Sequence, residues 1–484
     1  MTTVSPVRLR MVVPVLVLAA CASESGLVST SPLPFADRPP ASPAPTAEEL
    51  FPLSGNAGYD VERYDVDLAY DPPTSTISAT AYLTAMALAD LPTITVDFGA
   101  MALDGATVDS VAVAGAQLSG GKLTLTPAAP VADGARFVVA VAYHGVPRHR
   151  ADPSLGSPIG WITTPGGSYT RNEPNGASTW LPSNDHPSDK ALYRVRINVP
   201  EPYFAVANGA VAAEERAGGR VVTTWDMPQP MASSEVQIAV GQLARVDSTS
   251  PAGATLSSYV AAGGGDVTPG IGLAGQMLDF YAGLFGPYPF TTAGLIATDA
   301  PAGLAVDAQS RPLMSAADLT GPPSVRQQGL LSSALAHQWF GAAVTPARWK
   351  DVWLSEGFAT YARWLWMEQA GLQRVDDAAA NALARTDALR AAFGPPDAPS
   401  AGTLFSPTVL DGGAVVLHAL RQTVGDAVFF AILRTWVTEY GGQSVTTETF
   451  IDHASDIAGE DLTGFFMAWL SATDVPDEYP TPAP

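Results

Sequence analysis

The sequence predicts an α+β chain of more than one domain: an antiparallel β saddle or sandwich, then a mainly helical domain. Three observations carry this. From Tyr59 to about Val246, apolar and polar residues alternate in short runs broken by turn signals. From about Gly270 the apolar period changes to that of a helix. The length of 484 residues leaves room for two or three domains with a large core.

The elements follow in order. Arg8 and Arg10 precede the apolar run Met11–Leu18, which is too short to span a bilayer and reads as a signal peptide over residues 1–20. Leu18-Ala19-Ala20-Cys21 resembles a bacterial lipobox, with Cys21 the lipidated residue. Two acyl chains supply stable anchoring, so the protein is expected to be exported and lipid-anchored on the outer face of the bacterial cytoplasmic membrane. Cys21 is the only cysteine, which excludes an intramolecular disulfide. Residues 21–54, rich in Ser, Pro and Ala, read as the lipidated Cys and a disordered tether.

Residues 55–248 form the expected β domain. Tyr64, Val66, Leu68 and Tyr70 alternate with Asp65, Asp67 and Ala69; Ile94, Val96 and Phe98, and Tyr193, Val195, Ile197 and Val199, repeat the pattern. Residues 249–475 form the helical domain. Helices are predicted over 271–285, 325–341, 356–370, 375–393, 413–424, 427–440 and 447–457, with Gly371 and Gly441 at C-cap positions. No transmembrane helix is expected after the leader. The Pro-rich tail 476–484 is expected to fray. A formal charge of -22, becoming -24 once Arg8 and Arg10 leave with the leader, excludes nucleic acid as a partner: no basic patch exists to neutralise phosphates.

The chemistry concentrates in Leu331-Ser-Ser-Ala-Leu-Ala-His337-Gln-Trp-Phe-Gly341 and Trp353-Leu-Ser-Glu356-Gly357. A hydrolytic zinc site needs three protein ligands and an open position for water. It also needs a carboxylate to take the water's proton and a donor for the oxyanion. His337 and Glu356 suit two ligands. Ser333, one helical turn before His337, and Ala334 stand where a first His and a base Glu belong. Trp339, Phe340, Trp349 and Trp353 read as core packing.

These runs resemble the membrane alanyl aminopeptidase family of zinc metallopeptidases, the gluzincins of peptidase family M-one. The 19-residue step from His337 to Glu356 matches the family's ligand spacing. Gly286-Pro287-Tyr288-Pro289-Phe290, Asn172-Glu173-Pro174, Trp180 to Pro187 (with Ser183 where the family usually has Cys), Ala305 to Pro312 and Thr408 to Ala414 extend the resemblance over about residues 55–475. It implies a thermolysin-like zincin domain after the β domain. It also implies that Glu173 and Asp307 bind the substrate's amino group, Asp307 replacing the family's Glu with a shorter reach. The catalytic Tyr of the family is Leu410 here.

Losing a general base costs roughly 10²–10⁴ in rate. Losing one oxyanion donor costs on the order of 10²–10³. Two ligands are below the usual count for zinc, so bound zinc is expected to be weak or absent. The expected function is a catalytically inactive or strongly impaired aminopeptidase homologue that binds a peptide or a protein partner in its cleft. One alternative is an active metallo-aminopeptidase with zinc on His337, Glu356 and a further ligand. Another is an envelope interaction protein acting through its β domain.

Overall fold

Alternation places the first strand's apolar side inward, and the computed structural model shows it: Tyr64, Val66, Leu68 and Tyr70 of strand Tyr59–Asp71 are buried. Residues 48–99 and 101–480 are described. The signal peptide, Cys21, most of the tether and the last four residues lie outside them.

The β domain is built on an eight-stranded sheet. Its centre pairs Tyr59–Asp71 antiparallel with Thr76–Ala87 and parallel with Lys190–Pro200, so one parallel pair interrupts the antiparallel pattern. A five-stranded and a three-stranded sheet complete the domain. Alternating side chains from these sheets meet in one apolar core containing Trp161, Trp180 and Trp225. The strand Leu243–Thr249, counted with the β domain from its alternation, pairs instead with Thr255–Ala261 in the mixed five-stranded sheet of the second domain. The expected division at 248/249 therefore runs through a strand of that sheet. Ala305–Val306 forms the opposite edge of the same sheet and delivers Asp307.

Six long helices follow: α1 Thr268–Phe285, α2 Val325–Ala336, α3 Trp353–Gln369, α4 Val375–Phe393, α5 Gly413–Tyr440 and α6 Thr447–Ala458. A capping box between Ser324 and Gln327 starts α2. The expected extension of α2 to 341 fails. It ends at Ala336 with His337 as C-cap, and Gly341 turns the chain at φ +118 so that Trp339 and Phe340 enter the core. Expected start 356 of α3 moves back to Trp353, which puts Glu356 in the first turn. The predicted break between 424 and 427 is Gly425, at φ 78 and ψ 162 inside α5. With its preceding turn, α5 is long and apolar enough to cross a membrane, but Ala414 to Leu420, Phe429 and Trp436 are buried in the domain.

Two segments expected to be loose are held. Glu48 is buried; its carboxylate accepts from the Trp349 backbone N–H at 3.1 Å and lies 3.5 Å from His186 Nε2. Near the other end, Tyr479 donates to Ala379 O at 3.0 Å and stacks on Trp469. Within the described residues, Glu48 and Tyr479 are thus anchored side chains, one buried and one half-buried, that the Pro-rich composition around them hides.

Helices α3 and α5 cross backbone to backbone at Gly357 and Gly413. A Cβ on Gly357 would lie 2.8 Å from Gly413 Cα. An alanine gains about 1 kcal/mol in helix propensity, but neither backbone yields easily, and overpacking costs about 1–3 kcal/mol. Gly357→Ala is expected to lose about 1–2 kcal/mol net. An unchanged denaturant midpoint would contradict this contact.

Candidate active-site cleft

The ends of α2 and α3 place His337 against Glu356. His337 is 5% exposed, and its Nδ1 lies 3.0 Å from Ser355 Oγ. The Ser355 hydroxyl donates its proton to Phe340 O at 3.2 Å, so it accepts from His337, which assigns the imidazole proton to Nδ1. Nε2 faces the carboxylates, 3.5 Å from Asp307 Oδ2 and 3.8 Å from Glu356 Oε1. Gly341 makes room for this pair: a Cβ there would meet Ser355 Oγ at 2.4 Å and His337 Nδ1 at 3.2 Å.

A cavity of about 770 Å³ opens over these groups. Ser333 and Ala334 on α2, Glu356 on α3, Asp307 after the edge strand and Leu410 all line it. Leu410 sits in a π-helical turn, Thr408–Gly412, that leads into α5, the kind of local irregularity that re-aims side chains at functional sites. Glu173, which follows strand Gly167–Arg171, lies close enough for Glu356, His337 and Asp307 to act on its charge. The structure therefore gathers every site residue named from the sequence except Cys21.

It adds three that sequence reasoning missed. Glu235 ends a 3₁₀ turn, Ser233–Glu235, and its Oε2 is buried without a hydrogen-bond partner among the described residues. Arg171 and Arg363 bring positive charge to the cavity wall. No local motif surrounds Glu235; only the tertiary fold brings it to the site. Arg363 carried a usable signal, being seven residues after Glu356 and hence on its helical face.

The electrostatics follow from crowding carboxyls in a dry place. Burial, reinforced by Asp307, raises the Glu356 carboxyl well above its usual range. Burial and then Glu356 do the same to Glu173. Glu235 is pushed up to about 8, mainly by burial and then by Glu173. Asp307 Oδ1 is buried without a hydrogen-bond partner among the described residues. A cation placed here would relieve all four.

The donor set does not fit the family's zinc centre. Ser333 offers a neutral hydroxyl in place of an imidazole, and Ala334 offers no base. Among the described residues, no group of three His, Cys, Asp or Glu side chains is disposed to hold a metal ion.

Comparison with known proteins agrees with this architecture. The Peptidase M1 N-terminal domain model matches residues 161–234, and the Peptidase family M1 domain model matches residues 313–469. An M1 zinc metallopeptidase from Deinococcus radiodurans is 30% identical, with a TM-score of 0.81 over 90% of this chain and 99% of that one. A mutant of the Deinococcus enzyme bound to a Tyr-Ser-Ala substrate gives 0.80 at the same identity and coverage. The probable M1 family aminopeptidase 1 of Encephalitozoon cuniculi is 24% identical over 63% of this chain and 39% of its own length. Human glutamyl aminopeptidase is 29% identical over 42% of this chain and 22% of its own. The chain thus spans about two fifths or less of the curated relatives it matches. With both M1 domain models matched and the Deinococcus enzyme covered over 99% of its chain at 30% identity, the chain belongs to the M1 family of zinc metallopeptidases.

Proposed function

We propose that this chain is a catalytically impaired M1 aminopeptidase homologue that binds peptide N-termini in the old active-site cleft, with zinc weak or absent. One observation carries the reading. The groups that would recognise an ammonium, Glu173 and Asp307, stay together beside His337 and Glu356, while Ser333, Ala334 and Leu410 occupy the ligand, base and oxyanion positions. A peptide ammonium supplies the cation that the crowded carboxyls lack. The Tyr-Ser-Ala complex of the Deinococcus relative supports a cleft of peptide size. Arg8, Arg10 and the Leu18–Cys21 run support export and lipid anchoring through Cys21 at the outer face of the cytoplasmic membrane; palmitate labelling that survives Cys21→Ser would exclude that anchor.

The test is zinc stoichiometry of the purified chain together with hydrolysis of fluorogenic aminoacyl amides. The expected outcome is substoichiometric zinc, negligible turnover, and peptide binding that Glu173→Ala abolishes. A second reading rests on one distance. Asp307 Oδ2 lies 3.5 Å from His337 Nε2, near the roughly 3.4 Å that separates two ligands on a tetrahedral zinc. Asp307 would serve as third ligand of an active enzyme only after these side chains rearrange, because among the described residues no three are placed to hold a metal ion as they stand. Stoichiometric zinc with turnover lost in His337→Ala would establish this second reading and sink the first.

A further inference from the structure

The cleft carries a cation at the end away from its carboxylates. Arg363 follows Glu356 by two turns on the same face of α3, roughly 10.5 Å along the axis. On α2, Gly329 precedes His337 by about two turns, and a Cβ on it would lie 3.6 Å from Arg363 Cδ. The two helices therefore run antiparallel, with His337 against Glu356 at one end and Gly329 under Arg363 at the other. All four residues line the same cavity, with Ser333 on α2 between His337 and Gly329.

Arg363 has charge to spare. Its Nη2 is 3.7 Å from Asp411 Oδ1, while Arg385 Nη2 is 3.1 Å from Asp411 Oδ2. One carboxylate thus serves two guanidiniums. Among the described residues, Arg363 donates no hydrogen bond, so its five N–H donors are free for an anion. At the other end the Glu356 carboxylate, on a residue 9% exposed, accepts no hydrogen bond among the described residues. Arg171 belongs to the amine end: it lies two residues before Glu173 and acts on both Glu173 and Glu356, whereas Arg363 acts on Glu356 from two turns along α3.

We propose that Arg363 captures the free C-terminal carboxylate of a short peptide whose ammonium group sits on Glu173 and Asp307. The assignment rests on the amine-capture function proposed for the cleft and adds the ligand's length and far-end chemistry. An extended chain spans about 3.5 Å per residue. The two turns of α3 between Glu356 and Arg363, roughly 10.5 Å of helix axis, match the length of about three extended residues. A short zwitterionic peptide, with a charge at each end, is therefore the ligand class proposed, and Arg363, partly exposed at the cavity wall, is open to its carboxylate.

The test is calorimetric titration of the purified full chain with trialanine, its C-terminal amide and N-acetyl-trialanine. Trialanine is expected to bind at least roughly tenfold more tightly than its amide, because a charge-assisted guanidinium–carboxylate contact is lost in the amide. That preference is expected to disappear in Arg363→Gln. Equal affinity of acid and amide in the unmodified chain overturns the proposal without any variant, and so does a preference that survives Arg363→Gln. Equal affinity of trialanine and its N-acetyl form overturns amine capture alone, and the acid–amide comparison then decides the role of Arg363 by itself. Absence of trialanine binding at millimolar concentration overturns both.

Discussion

Ser333→His, Ala334→Glu and Leu410→Tyr, made together, are expected to raise hydrolysis of an alanyl anilide at least roughly 10³-fold above the unmodified chain. All three positions already face the cavity. His337 is held by Ser355 with Nε2 directed at the carboxylates, the tautomer a metal ligand requires. Glu356 is fixed in the first turn of α3 by the crossing at Gly357 and Gly413. The triple variant therefore adds chemistry to a frame that needs no rebuilding. A base contributes roughly 10²–10⁴ and an oxyanion donor on the order of 10²–10³. These gains depend on the same bound metal and do not simply multiply. Each single substitution is accordingly expected to change turnover little, because a base without a third ligand has no metal-bound water to act on. Metal analysis separates the steps. A triple variant that holds one zinc per chain yet stays inactive would locate the defect elsewhere, with the short reach of Asp307 the first suspect. One that fails to bind zinc would show that the distance between positions 333 and 337 is wrong for two ligands.

The sequence made the outline legible because both periodicities are local. Strand alternation at Tyr64–Tyr70 and the helix over Val375–Phe393 depend on neighbours two to four residues apart. The site was legible for another reason: the His337 and Glu356 spacing survives although part of the chemistry does not. What stayed hidden depends on distant partners. Glu235 and Lys190 sit in stretches with no motif, and only the docking of the two domains makes them buried charges. The early end of α2 was hidden because His337 to Phe340 continues the helical pattern. Burial of Trp339 and Phe340 and the left-handed Gly341 outweigh that local preference. The contacts of Glu48 and Tyr479 stayed hidden in the same way, since their partners Trp349, His186, Ala379 and Trp469 are distant in sequence.

Lys190→Ala is expected to remove about 3 kcal/mol of stability. Lys190 begins the central strand Lys190–Pro200 and is buried. Its Nζ crosses to the other domain, donating to Ala342 O at 2.9 Å, Ala343 O at 3.1 Å and Thr345 Oγ1 at 2.9 Å. These atoms belong to the turn that carries the chain from His337 towards α3. Two effects oppose each other. Burial favours the neutral amine and pulls the group down to about 7, while Glu235 acts to keep it charged. Hydrogen bonds from a charged donor are each worth about 1.5–3 kcal/mol, and three of them outweigh the residual desolvation. The loss stays near the low end of the 3–5 kcal/mol typical of a broken buried ion contact, because Ala343 O keeps the Gly442 N–H and the Thr345 hydroxyl keeps Gly341 O. Lys190→Met retains most of the apolar stem and isolates the polar part. It is expected to recover roughly 1 kcal/mol relative to the alanine variant through restored packing. Chemical denaturation of the three proteins measures both differences. If Lys190→Met is as stable as the unmodified chain, the ammonium holds the domains together no better than a thioether does, and the interface is apolar in its energetics.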